Sequence, residues 1–213
     1  MADTASSSAA RPTLNPRART SFIAILIGVL ALAMGFGAGV FVAKPQHPGD
    51  ASAEAGFARD MSNHHGQAVS MAIEEYQATA DPALRPIAVD MALTQQAQIG
   101  IMQTWLRTWG LEANSGNRPM AWMGAPVAEG ELMPGMANEA ERTKLRQATG
   151  REKDILFCQL MLRHHLGGIH MVDGVLSRTD DEQVRDLAQS MKDAQQFEVG
   201  VLRKKLTALG AKP

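Results

Sequence analysis

The chain has 213 residues, 45% of them hydrophobic, and a formal net charge of -1 from 21 Lys and Arg against 22 Asp and Glu. That length suits one well-packed domain with an accessory segment, and the balanced charge offers no basic surplus for a nucleic-acid partner. A single cysteine, Cys158, excludes an intramolecular disulfide, and the absence of any CxxC removes the zinc, dithiol-redox and c-type haem motifs.

Residues 1–20 are rich in Ala, Ser, Pro and Arg without periodicity, the composition of a disordered segment. From Phe22 to Ala43 no residue is charged. As a helix this stretch rises about 33 Å, enough for a bilayer core, so residues 21–43 are predicted to be a transmembrane anchor or an uncleaved signal. Arg11, Arg17 and Arg19 precede it. The positive-inside rule then leaves the N-terminus in the cytoplasm and exports the rest, as a single-pass protein of the cytoplasmic membrane with its C-terminal domain on the periplasmic or cell-surface side. A cleaved signal peptide fits less well, because the apolar run is longer than a signal's and the small-residue site at Ala51-Ser52-Ala53 lies far beyond it.

Residues 44–55, with Pro45, Pro48 and Gly49, read as a linker. From residue 56 onward the chain is rich in Ala, Leu, Met, Gln and Glu and lacks β-type alternation, so the fold class is all-α. A first helix is expected from about Gly56 to Gln77. A second opens at the Asp81-Pro82 cap and ends near Gly110, with Pro86 pointing to a start one turn later. A Met-rich connection spans 111–150, in which Asn138 caps a short helix over Glu139 to Thr149 that Gly150 stops. A third long helix runs from Arg151 to Ser177. Asp180 or Asp181 caps a fourth that reaches Gly210.

Laying 57–110 over 157–210 without a gap gives fifteen identities, including Phe57, Met61, His64, His65, Met71, Asp81 and Gly110. Cap, stop and His-His pair repeat together, so the chain is read as two duplicated hairpins, 57–110 and 157–210, forming a four-helix bundle over 56–210. On a helical wheel Met61, His64, His65 and Met71 share one arc of about 120°, and Met161, His164, His165 and Met171 repeat it. His170 falls opposite, on the surface side. Met91, Gln95, Gln98 and Met102 form a stripe on the second helix, and Met191, Gln195 and Glu198 form its counterpart on the fourth.

Methionine at helical spacing is ordinarily core filler, which suits Met91 and Met191 taken singly. Four inward histidines resist that reading, because buried imidazoles need partners and few carboxylates lie on these faces. A bound metal is the partner they call for. Thioether with imidazole suits copper, Cu(I) above Cu(II). The principal ligands expected are Met61, His64, His65, Met71, Met161, His164, His165 and Met171. Met120, Met123, Met133 and Met136 of the connection, Met91, Met191 and Cys158 are auxiliary candidates.

The segments Phe57 to Ala72, Phe157 to Val172 and Met133-Pro134-Gly135-Met136 resemble the bacterial family called domain of unknown function 305 over about residues 54–210. The resemblance implies a ferritin-like four-helix bundle, exported, with some members binding copper through Met and His. It points to the same eight principal residues. This chain departs from the family pattern in having Leu160 beside Met161, and Leu166 and Gly167-Gly168 after the histidines.

The expected function is copper sequestration or trafficking without catalysis. A membrane-anchored interaction scaffold with structural or pH-sensing histidines is the alternative. A di-iron oxidase is a minor one, because no Glu-x-x-His occurs. The expected partners are a metal ion and the membrane. A homo-oligomer and a copper-exchange partner both stay open.

Overall fold

The computed structural model describes residues 16–42 and 47–213. These divide into two units at His47/Pro48. The first contains one helix, α1 (Pro16–Val42), which begins inside the stretch expected to be irregular. Proline suits a first helical position, where its missing N–H is not needed. Side chains described within α1, from 24 to 36, are exposed.

Among the described residues no helix is long and apolar enough to cross a membrane, so the expected transmembrane span is not supported. The side chains of Phe22, Ile23 and the expected end of the span at 37–43 lie outside the described residues, as do residues 1–15 and the start of the expected linker at 44–46.

The second unit contains α2 (Ala53–Ala78), α3 (Leu84–Thr108), α4 (Glu139–Gln147), α5 (Gly150–Leu176) and α6 (Glu182–Ala208), with a single 3-10 turn at Ala121–Met123 and no strand among the described residues. Ser52 opens α2 by accepting from the Ala55 amide. Asp81 accepts from the amides of Ala83 and Leu84, and Pro86 falls in the first turn of α3, where helical amides have no carbonyl to meet. Asn138 and Glu141 form a reciprocal capping box on α4. Gly150, expected to stop α4, instead begins α5 with a φ of 53°.

The two hairpin turns are copies. Asp81 and Asp181 each donate a backbone N–H to the hydroxyl two residues earlier, Thr79 and Thr179, at 3.1 Å. Arg85 and Arg185 each reach back to the carbonyl of that threonine. Both hairpins also end alike. Gly110 (φ 71°) and Gly210 (φ 64°) take the left-handed conformation, and the next amide, Leu111 or Ala211, bonds to Leu106 or Leu206.

The hairpins α2–α3 and α5–α6 pack together through α2 and α5. One apolar cluster joins Phe57 and Met61 of α2 to Met171 and Val175 of α5, with Met102 and Met191 from the outer helices. The other joins Met71 to Phe157 and Met161, with Met91 and Leu202. This exchange of ends makes α2 and α5 antiparallel, related by an approximate two-fold axis. Each fully buried Phe or Met contributes about 1.5–3 kcal/mol. Between the clusters lies a polar layer: His64, His65, Gln95, Gln98, His164, His165 and Gln195, all buried.

Candidate metal centre

The layer lies where α2 and α5 cross. His64 and His164 face each other with ring centroids 3.7 Å apart and planes tilted by 31°, and the His165 ring lies 6.4 Å from that of His164. Each imidazole is oriented through Nε2. His65 donates to Gln98 Oε1 at 2.9 Å, and His165 to Glu198 Oε2 at 2.6 Å, the same contact at the same offset in both hairpins. His164 donates to the backbone carbonyl of His64 at 2.9 Å, and His64 to the carbonyl of Pro134 at 3.0 Å.

Every one of these acceptors is an oxygen with no proton to give, so the partners assign the N–H to Nε2 on all four rings. Burial keeps His64 and His65 neutral by pushing them down to about 4 and about 3. For His65 the neighbouring His64 adds to burial, and for His64 the Pro134 carbonyl opposes it. Burial and the surrounding imidazoles hold His164 well below the usual range. In this tautomer Nδ1 carries the lone pair, and the Nδ1 atoms of His64, His65 and His165 are buried with no hydrogen-bond partner. A ring fixed by an N–H to carbonyl or carboxylate, with its other nitrogen free, is the arrangement of a metal-ligating histidine.

The connection from 111 to 138 crosses the α2/α5 seam as a strap. Asp60 of α2 accepts from the Met120 amide at 2.7 Å and from Trp122 Nε1 at 2.8 Å. The indole fills a notch at Gly56, where a Cβ would lie 2.4 Å from Trp122 Cδ1. Gln67 bonds both the N–H and the carbonyl of Ala137. On α5, the position equivalent to Gln67 is Gly167, where a Cβ would meet the Pro134 carbonyl at 2.0 Å. Gly167 therefore provides the room that lets Pro134 reach His64.

The principal candidates separate by position. Met61 and Met171 lie on one side of the histidine layer, and Met71 and Met161 on the other, all fully buried. Met120, Met133 and Met191 belong to the first cluster, against which Met123 and Met136 pack half-buried, and Met91 belongs to the second. Cys158 is buried in the second cluster, and desolvation followed by the nearby Glu75 carboxyl pushes its thiol up to about 12. It stays a thiol and offers little as a ligand. Among the described residues no group of three or more His, Cys, Asp or Glu side chains is placed to hold a metal ion.

The expectation that the imidazoles lack protein partners is corrected at Nε2 of all four rings and holds at Nδ1 of His64, His65 and His165. Gln98 and Glu198 could have been found from the repeat, each lying 33 residues after the histidine it orients. Asp60, Gln67 and the Pro134 carbonyl carried no such signal.

The family profile named domain of unknown function (DUF305) matches residues 54–206. The chain belongs to the DUF305 family. Among solved structures, it resembles a DUF305 protein from Streptomyces coelicolor, provisionally named as secreted, at 41% identity and a TM-score of 0.72, over 77% of this chain and 98% of that one. A DUF305 fragment from Deinococcus radiodurans is 28% identical, with a TM-score of 0.60, over 74% and 95%. CopM in its Cu(II)-bound form is 24% identical, with a TM-score of 0.56, over 72% and 94%, a likeness of fold. No curated protein matches. Within the DUF305 fold, the doubled Met-x-x-His-His segments are thus the two helices that cross at the histidine layer.

Proposed function

We propose that this protein is an exported copper-binding protein that sequesters or hands on the ion, Cu(I) before Cu(II), and makes no covalent change to a substrate. The observation that carries this reading is the set of unpartnered Nδ1 lone pairs on His64, His65 and His165, fixed in place and bordered by thioethers on both sides. Soft sulfur with neutral imidazole suits a monovalent d10 ion, and the buried site excludes water. The family's fold is shared by CopM, solved with Cu(I), with Cu(II) and with silver. Export accords with the Streptomyces coelicolor relative and with the use of methionine where thiols would oxidise.

Titration of the full chain with Cu(I) against a coloured competing chelator tests this. His64, His65, His164 and His165 all changed to Gln keep amide donors for the same oxygens while removing the imidazole lone pairs. Wild type should withdraw Cu(I) from the chelator and the variant should not. Equal competition by both overturns the proposal.

A pH-sensing scaffold is less well supported, because His64 and His65 gain protons only near pH 4 and 3, far from neutrality. For a di-iron site, the layer offers Glu198 as its one carboxylate among the described residues.

A further inference from the structure

The strap leaves a cleft against α5, lined by Met120, Met123, Val127, Glu131, Pro134 and His170, among others. His170 is exposed, on the side of α5 away from the histidine layer. One turn further along the same face is Gly174, whose missing side chain is replaced by Met123. A Cβ there would lie 2.5 Å from Met123 Cε and 2.7 Å from its sulfur. Residues four apart on a helix are surface neighbours, about 5–6 Å between Cβ atoms, so the His170 imidazole and the Met123 thioether share one patch.

Behind them is Met120, 2% exposed and held in the left-handed conformation at φ 64°. A methionine rarely adopts that conformation, and here the Asp60 carboxylate fixes it by accepting the Met120 N–H. Met120 belongs to the same cluster as Met61 and Met171, the methionines next to the histidine layer. His170, Met123 and Met120 thus line one cleft, and Met120 shares its cluster with Met61 and Met171. Glu131 adds a negative rim that favours an arriving cation. Two cations adjoin the cleft, Arg178 held to the carbonyls of Gly174 and Met123 and Arg118 held to that of Val127.

We propose that His170 and Met123, backed by Met120, form an outer receiving site for a soft monovalent cation on its way to the buried layer. This rests on the copper reading above and adds the point of entry. The ion would exchange one soft ligand for the next without returning to water.

Silver(I), which cannot change oxidation state under these conditions, is the probe, with the methionine methyl groups of the full chain carbon-13 labelled and followed by NMR. In wild type, substoichiometric silver should move the Met123 resonance before those of Met61 and Met171. His170→Ala and Met123→Leu change exposed or half-exposed side chains, and each should slow interior occupancy by about tenfold or more while leaving its end point unchanged, the scale on which loss of a single metal-site partner acts. Interior resonances that move at wild-type rate in both variants, or that move while Met123 stays still, overturn the outer site and leave the copper reading standing. If no methionine resonance moves in wild type, both are overturned.

Discussion

Adding one methyl group at two glycines should shift stability in opposite directions. Gly167→Ala drives a Cβ into the Pro134 carbonyl, and relief requires moving backbone. A loss of about 1–3 kcal/mol is expected, as for overpacked sites. Gly66→Ala, where nothing lies within 4 Å, should instead gain up to about 1 kcal/mol from helix propensity. Urea unfolding of the two variants measures both, and equal effects would contradict the close fit of strap to helix. Protonation supplies a second test at this scale, on metal-free protein. His64, His65 and His164 are lowered in the folded state, so below about pH 6.5 the unfolded chain binds more protons and stability falls toward pH 4. Glu75 has the opposite sign. Burial and the adjacent Asp154 raise it from 4.5 to about 8, so its contribution is complete below 4.5 and is lost as pH rises through 8. Three histidines outweigh one glutamate on the acid side, and between 6.5 and 8 Glu75 acts against no histidine. Urea midpoints should therefore peak near pH 6.5, and Glu75→Gln should flatten the alkaline decline alone; an alkaline limb that persists in that variant removes Glu75 as its cause.

The strap is the element most exposed to test, because few groups hold it. Asp60→Ala deprives both the Met120 amide and the Trp122 indole of their acceptor, which should cost about 1–3 kcal/mol for the part-buried donors. Faster proteolysis between residues 111 and 137 and a red-shifted tryptophan emission are the expected signs. Unchanged cleavage would mean that Gln67 and the Gly167 notch suffice to hold the segment. The long helices could be placed from the sequence because their devices are local: a capping Asp at 81 and 181, a left-handed Gly at 110 and 210, and a 3.6-residue period between. The strap could not, since its contacts join residues about 60 and 70 apart through a few side-chain hydrogen bonds and the space above a glycine. The tautomer of His64 depends on Pro134, so it was hidden for the same reason. At Gly150 the local rule failed: a glycine that usually ends a helix begins one, because α4 has already stopped at Gln147.

For the whole molecule, a ligand that binds only the folded state must raise the unfolding temperature. At one hundred times its dissociation constant the gain is about 2.7 kcal/mol, or roughly 5–10 °C for a domain of this size. Calorimetry with Cu(I) under anaerobic conditions should show such a rise in wild type, and His64→Gln with His164→Gln should diminish it. A rise undiminished in that double variant would place the ion elsewhere. The crossing of α2 and α5 also has an evolutionary consequence. Two separate identical hairpins, meeting through the same face, would form an isologous dimer in which every substitution appears twice. A glutamate at the position shared by Gln98 and Glu198 would then place two carboxylates in the same buried layer, where like charges repel. Fusion into one chain removes that constraint. One copy keeps a neutral amide behind His65 while the other sets a carboxylate behind His165. The two imidazoles thus face unlike acceptors, and what began as two equal halves has become a layer with two different sides.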